Sequence, residues 1–310
     1  MPELAPIVLF CYNRPEHTRQ TLQALSENIL ADKSRLYIFC DGPKPEADEN
    51  QFRKIKEVQE IAKSKNWCSE VEVIQQQSNK GLANSVIEGV TQIVNQYGKV
   101  IVLEDDLITS KYFLEYMNTA LEKYKEEMKV MQVSGHQFPV KQWKKKQEAL
   151  FLPFTTSWGW ATWKRAWDCF DINATGYLIL KNDLRLRKKF DLNTNGFFSG
   201  MLFRQIESSE IDSWAIRWWW TVFSKNGLVL FPSISLISNI GFGEEATHTK
   251  ENIEKLKPLN SLARIAVFPE SISFQVTNYC IVVSTFGGKV SFMDKLLMII
   301  FRKARKKIIC

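Results

Sequence analysis

Three adjacent carboxylates, Glu104-Asp105-Asp106, follow the apolar run Lys99 to Leu103 without a break. Neighbouring carboxylates repel one another, so a cation beside them explains their company at the end of a buried strand. Hard oxygen ligands select Mg2+ or Mn2+, and such an ion can bridge a diphosphate and stabilise it as a leaving group. The plainer reading of an isolated Glu-Asp-Asp is a solvated acidic turn. A second group is Asn79-Lys80-Gly81-Leu82-Ala83-Asn84-Ser85. Gly81 permits a tight turn, a helix N-terminus behind it offers N–H groups to an anion, and Lys80 adds charge. By itself this reads equally as an ordinary helix start. A third is Tyr12-Asn13-Arg14-Pro15, where polar side chains leave an apolar run and Pro15 suits a first helical turn.

These groups need elements that bring them together. Pro6 to Tyr12, Arg35 to Cys40, Val71 to Gln75 and Lys99 to Leu103 read as strands. Pro15 to Leu25, Gln51 to Lys65 and Leu82 to Val94 read as the helices between them, the second carrying Ile55, Val58, Ile61 and Ala62 on one face. Strand and helix alternating in this way predict a parallel sheet with right-handed crossovers. Ligands of such sheets bind beyond the carboxyl ends of the strands. Asn13-Arg14, Asp41 and Glu104-Asp105-Asp106 are therefore expected on one crevice. Further along, Val229 to Ile240 reads as a pair of short strands and Arg264 to Val283 as extended chain. Phe292 to Ile309 reads as an amphipathic helix.

The 310 residues suffice for one large α/β domain with an accessory segment. Of the formal charge of +7, the stretch from Lys289 to Cys310 supplies seven basic residues against one acid, Asp294. The rest of the chain is close to neutral, which argues against a nucleic-acid-binding groove. Six cysteines form no CxxC pair, so a reduced compartment without structural zinc is expected. The N-terminus lacks the pattern of a signal peptide, and no apolar run is long enough to span a bilayer, which leads to an expected cytoplasmic location. The apolar and basic residues of 292–309 suit an anionic membrane surface, against the plainer reading of a solvated tail. Nine of the ten tryptophans lie between Trp143 and Trp220, and most should be core.

The run IVLFCYNRPEHTRQTLQAL, the Asp41-Gly42 strand end, NKGLANS and VIVLEDDL, in this order, resemble GT-A glycosyltransferases. They look most like bacterial family 2 enzymes and the N-acetylglucosaminyltransferase I group, and Ser157 to Trp167 (SWGWATWKRAW) is similar to a segment of bacterial members. The likeness covers roughly residues 5 to 250. It implies an α/β, Rossmann-like GT-A fold with a mostly parallel central sheet. The transferase domain would occupy 1–250, as a nucleotide-sugar half (1–106) and an acceptor half (107–250), with 251–310 as a C-terminal extension.

The resemblance further implies a nucleoside-diphosphate sugar donor, a UDP-sugar in this reading, a hexosyl or N-acetylhexosaminyl transfer, and a glycan or lipid-linked glycan acceptor in polysaccharide synthesis. By position, Asp106 would hold Mn2+ or Mg2+. Glu104 and Asp105 would meet the sugar or ribose. Asn13, Arg14 and Asp41 would hold the nucleoside, and Lys80, Leu82 and Asn84 would line the same pocket. Asp212, just before Trp214, corresponds to the base that takes the acceptor proton in an inverting transfer, with Glu210 and Glu207 as alternates. A plain helix N-cap is the competing role for Asp212. His248, in the glycine-bearing run after Gly241, would belong to a lid over the diphosphate. Trp158-Gly159-Trp160 would leave open space beside aromatic faces for a sugar. An inactive sugar-nucleotide-binding or scaffold protein on the same fold is the alternative.

Overall fold

The computed structural model describes residues 3–140, 143, 147–241, 259–285 and 288. Its first part alternates strand and helix as the apolar spacing predicts. β1 (Ile7–Cys11), β2 (Arg35–Cys40), β3 (Glu70–Gln75) and β4 (Lys99–Glu104) are separated by α1 (Pro15–Ser26), α2 (Glu49–Lys63) and α3 (Leu82–Tyr97). Local chemistry sets each helix start. Pro15 opens α1, and Asp48 forms a capping box with Gln51 before α2. Gly81 (φ 77°) precedes α3, and Gly98 (φ 74°) ends it in the left-handed region that a side chain disfavours.

The chain continues through β5 (Leu107–Thr109), α4 (Phe113–Lys123), β6 (Val130–Ser134), β7 (Ala149–Leu152), β8 (Trp160–Trp163) and α5 (Lys164–Trp167). Three short helices follow, α6 (Ile179–Asn182), α7 (Leu184–Phe190) and α8 (Phe197–Phe203). A π-helical turn, Arg204–Ser208, leads to α9 (Trp214–Ser224), then β9 (Leu228–Pro232), β10 (Ile237–Asn239) and α10 (Val276–Thr285). Among the described residues, eight strands form one sheet in the order β3-β2-β1-β4-β8-β6-β9-β7, and β10 pairs antiparallel with β5 in a small ribbon. β1 to β4 run parallel, as do β6 and β9, while β8 and β7 are antiparallel to their neighbours. The sheet is thus mostly parallel, as expected of the GT-A fold.

Register decides where the polar strand ends go. Cys11 stands opposite Cys40, and Phe10 opposite Glu104, so β1, β2 and β4 stop at one level. β8 runs the other way and begins at that level, with Trp160 opposite Val102. Side chains alternate between two cores. Ile7, Leu9, Leu36, Ile38, Ile101 and Leu103 face one with α1, α2 and α4. Val8, Phe10, Tyr37, Phe39, Val100 and Val102 face the other with α3 and α9.

The tryptophans fill the second core. Trp160 has no exposure, stacks on Trp214 at 5.0 Å between ring centroids, and lies 5.8 Å from Trp167. Trp218, Trp219 and Trp220 are all buried. Because Trp214 opens α9 and Trp160 opens β8, the stack draws the N-terminal end of α9 to the rim where β4 ends. One expectation is corrected. Within Arg264 to Val283, residues from Val276 onward form α10 and not extended chain. The β-branched run VTNYCIVVST resembles a strand, but Tyr279, Val282 and Val283 recur at helical spacing and bury together. The expected helix over 292–309 lies outside the described residues.

Trp160→Ala should cost roughly 3–5 kcal/mol of stability, because the buried ring leaves a cavity in the tryptophan stack. Chemical denaturation read by tryptophan fluorescence checks it, and a loss below about 1 kcal/mol would contradict the packing described.

Candidate active site

The rim carries the site. Arg14 leaves the end of β1 and reaches across to β4. Its Nη2 donates to Asp105 Oδ1 at 2.5 Å and its Nη1 to Asp106 Oδ2 at 3.0 Å. Both carboxylates are buried. Thr21 Oγ1 on α1 donates to the Asp105 carbonyl at 2.8 Å, and the Ile240 N–H donates to the Asp106 carbonyl at 2.9 Å. The acidic turn is therefore pinned from both sides and is not a solvated loop.

Its electrostatics follow from burial. Desolvation, then the charges of Asp106 and Asp105, push Glu104 up to about 8, with Arg14 pulling the other way. Desolvation also pushes Asp105 up to about 7 against the pull of Arg14. Burial disfavours the Arg14 charge, yet Asp105 and Asp106 outweigh it and raise its pKa. One guanidinium thus balances part of the charge of three carboxylates.

Six buried side-chain polar atoms lack a hydrogen-bond partner among the described residues, and Asp106 Oδ1 is the carboxylate oxygen in that set. Gly241 lies against the same carboxylate: a Cβ there would sit 2.2 Å from Asp106 Oδ2 and 2.9 Å from Arg14 Nη1. Among the described residues no three His, Cys, Asp or Glu side chains are grouped to cage an ion. That donor set fits a divalent cation held by one protein carboxylate oxygen, the remaining ligands coming from a diphosphate and water, as Mg2+ and related hard ions favour.

Asp41 occupies the next strand end, and its carboxylate is already engaged. Oδ1 accepts from the Gly42 N–H and the Lys80 N–H, both at 2.9 Å, and Oδ2 from Asn79 Nδ2 at 3.0 Å and the Gly81 N–H at 3.1 Å. Asp41 thereby fixes the loop before α3. The Lys80 ammonium turns to Glu88 at 2.5 Å, and the Asn84 amide donates to the Lys80 carbonyl at 3.0 Å. Leu82 is 45% exposed and Asn13 is half-buried. The loop presents surface beside the rim, while its charged side chains are spent on one another.

At the start of β8, Gly159 (φ 57°) has Ile237 where a Cβ would go, 2.7 Å from its Cδ1. The open space expected beside Trp158-Gly159-Trp160 is thus filled by Ile237 and by the burial of Trp160. Trp158 alone stays half-buried, edge-on to His136 at 4.5 Å between ring centroids. Burial pushes His136 down to about 3, so the ring is neutral.

Asp212 stands two residues before α9, and Ser213 rather than Asp212 caps the helix, accepting from the Ile216 N–H. Asp212 pairs with Arg217, which is buried while the Asp212 side chain is 56% exposed. Glu207 is engaged by Lys181 and Tyr177, and Glu210 is exposed. His248 lies outside the described residues. Thr21, His136 and Arg217 escaped sequence reasoning, and Gly241 reads in sequence only as the start of a lid. Of these, only Arg217, a cation inside the apolar run of α9, carried a signal in its surroundings.

The family described as Glycosyl transferase family 2 matches residues 7–205, more than half of the chain. A search of curated proteins finds no match. Solved structures resemble it at low identity. The mannosyltransferase PcManGT from Pyrobaculum calidifontis, in complex with GDP-Man and Mn2+, shares 13% identity with a TM-score of 0.35, over 52% of this chain and 44% of its own. GalNAc-T7 with UDP, GalNAc and Mn2+ shares 12% with a TM-score of 0.43, over 81% of this chain and 46% of its own. The galactosyltransferase LgtC, in complex with donor and acceptor sugar analogs, shares 9% with a TM-score of 0.37, over 73% of this chain and 72% of its own. The chain spans less than half the length of the first two.

Two outcomes are expected at this rim. Gly241→Ala should lower stability by roughly 1–3 kcal/mol, since the new methyl displaces the Asp106 carboxylate. Mn2+ binding, followed by calorimetry, should weaken with it. The metal-free protein should also lose stability as pH rises. Glu104 and Asp105 bind protons more tightly when folded, so their contribution is present below about pH 4 and is lost as pH climbs through about 7 to 8. Denaturation midpoints from pH 5 to 8.5 would show this slope, and Glu104→Gln should flatten it.

Proposed function

The chain belongs to glycosyl transferase family 2, and on that premise we propose that it transfers a sugar from a nucleoside diphosphate to a hydroxyl of a glycan or lipid-linked glycan, with inversion at the sugar carbon. We read the donor as a UDP-sugar and the transferred group as a hexosyl or N-acetylhexosaminyl unit, in keeping with a likeness to the N-acetylglucosaminyltransferase I group. The observation that carries the reading is the orphaned, buried Oδ1 of Asp106 at the strand rim.

Mn2+ or Mg2+ held at Asp106 would supply charge for the departing diphosphate. Arg14 keeps Asp105 and Asp106 balanced before the donor arrives, and it would share its charge with the phosphates afterwards. Asn13, the backbone of Lys80 and Leu82, and Asn84 border the space for base and ribose. Asp41 acts through the loop it anchors. Glu104, Asp105 and the half-buried Trp158 border the sugar. Asp212 takes the acceptor proton as the hydroxyl oxygen attacks the anomeric carbon and the bond to the diphosphate breaks. Arg217 aims that carboxylate and keeps it from turning away. His248 would close over the diphosphate.

Thermal unfolding with UDP, GDP, CDP or dTDP, each with and without Mn2+, tests this. One nucleotide should raise the melting point only when metal is present, because a ligand of the folded state must stabilise it. Asp106→Ala should abolish that shift. Asp212→Asn should preserve it while turnover falls by roughly a hundredfold or more. No shift with any nucleotide at millimolar concentration would favour an inactive scaffold, and full turnover in Asp212→Asn would remove Asp212 as the base.

A further inference from the structure

Ten large apolar side chains are exposed among the described residues, and five of them, Ile172, Leu178, Ile179, Leu184 and Phe197, fall within residues 172–197. The chain there is the three-helix excursion α6–α8. Its buried residues are few: Leu180 in α6, Phe190 in α7, and Ser199 and Leu202 in α8. The outward apolar side chains are therefore not forced by a core on their own element. Apolar patches of this kind mark a surface that is covered in use.

Cations share the excursion. Lys181, Arg185, Lys188 and Lys189 are exposed, and Arg187 is half-buried. The nearby acids are already engaged by the protein. Asp183 caps α7 through the Arg185 and Leu186 N–H groups, Asp191 is buried and accepts from the Ser199 N–H and hydroxyl, and Glu207 is held by Lys181 and Tyr177. Exposed apolar residues interspersed with lysine and arginine along one excursion fit a surface that is both apolar and anionic.

Gly288, the last described residue, reaches the same excursion. Gly288 presses on the α7–α8 connection: a Cβ on it would lie 2.6 Å from the Leu192 carbonyl oxygen. Beyond that point the sequence carries seven basic residues and one acid through to Cys310. No described helix is long and apolar enough to cross a membrane. We propose that α6–α8 form a docking face for an anionic lipid bilayer. The excursion runs through the π-helical turn into Asp212, so a bilayer on this face would lie on the same side of the sheet as the acceptor end of the site.

The test needs neither donor nor acceptor, so it stands or falls apart from the transferase reading. The full chain is sedimented with phosphatidylcholine vesicles alone and with vesicles containing phosphatidylglycerol. Binding is expected only with the anionic lipid and should fall as salt is raised. Leu178→Ser/Leu184→Ser/Phe197→Ser should weaken partition roughly tenfold or more at unchanged melting temperature, and Arg185→Glu/Lys188→Glu should weaken it similarly. Deletion of 289–310 should reduce binding without abolishing it. Three results would overturn the proposal: no binding to anionic vesicles, full binding in both surface variants, or a dimer in solution that the apolar variant dissociates, which would assign the face to a second copy of the chain.

Discussion

Arg14 spans two strands to hold Asp105 and Asp106, and the rest of the site is arranged around that exchange of charge. Two carboxylates removed from water at the end of β4 would repel each other and the neighbouring Glu104. The guanidinium offsets this from the adjacent strand, in the fork geometry that suits two acceptors. It can do so only because β1 and β4 end level with each other, which is a property of the sheet register. Fold and chemistry are linked there: a one-residue slip of β1 against β4 would send Arg14 away from the acids and leave buried charge uncompensated.

The parallel half of the fold was legible because apolar runs of strand length alternate with helical spacing, and polar residues stand where each run ends. Asn13-Arg14, Asp41 and Glu104-Asp105-Asp106 reach one rim for that reason. Side-chain partnership was less legible. Asp41 looks like a ligand-binding acid in sequence, yet its carboxylate is saturated by three backbone N–H groups and Asn79. Lys80 looks like a phosphate-binding cation, yet it pairs with Glu88 one turn into α3. Which polar group meets a ligand and which meets the protein is set by contacts between segments, and spacing along the chain does not encode them.

The second half was harder for a related reason. α4, β6, β7, β8 and the helices α5 to α8 are short, and several are apolar throughout, so no period separates strand from helix. The tryptophans had to be mostly core by size, but their arrangement was not readable. Trp214 stacking on Trp160 carries the start of α9 to the rim, and that contact brings Asp212, two residues before the helix, with it. Gly241 gives the opposite lesson. It sat in a run whose glycines suggested mobility, whereas its missing side chain leaves room for the Asp106 carboxylate.

The ribbon of β5 and β10 joins Leu107–Thr109 to Ile237–Asn239, and the Asp106 carbonyl accepts from Ile240 just beyond it. Everything from α4 to β9 is enclosed by that pairing. The enclosed chain leaves the rim and returns to the Asp106 carbonyl. Such a clasp separates two rates of change. Inside the loop, β6 to β9 are held in the main sheet, whereas the stretch through α6–α8 to Asp212 lies outside its strands and is the part that can lengthen, shorten or alter its surface. The donor rim outside it keeps its register throughout. Descendants of one such chain could therefore diverge in what they glycosylate, and where, while continuing to draw on the same activated sugar.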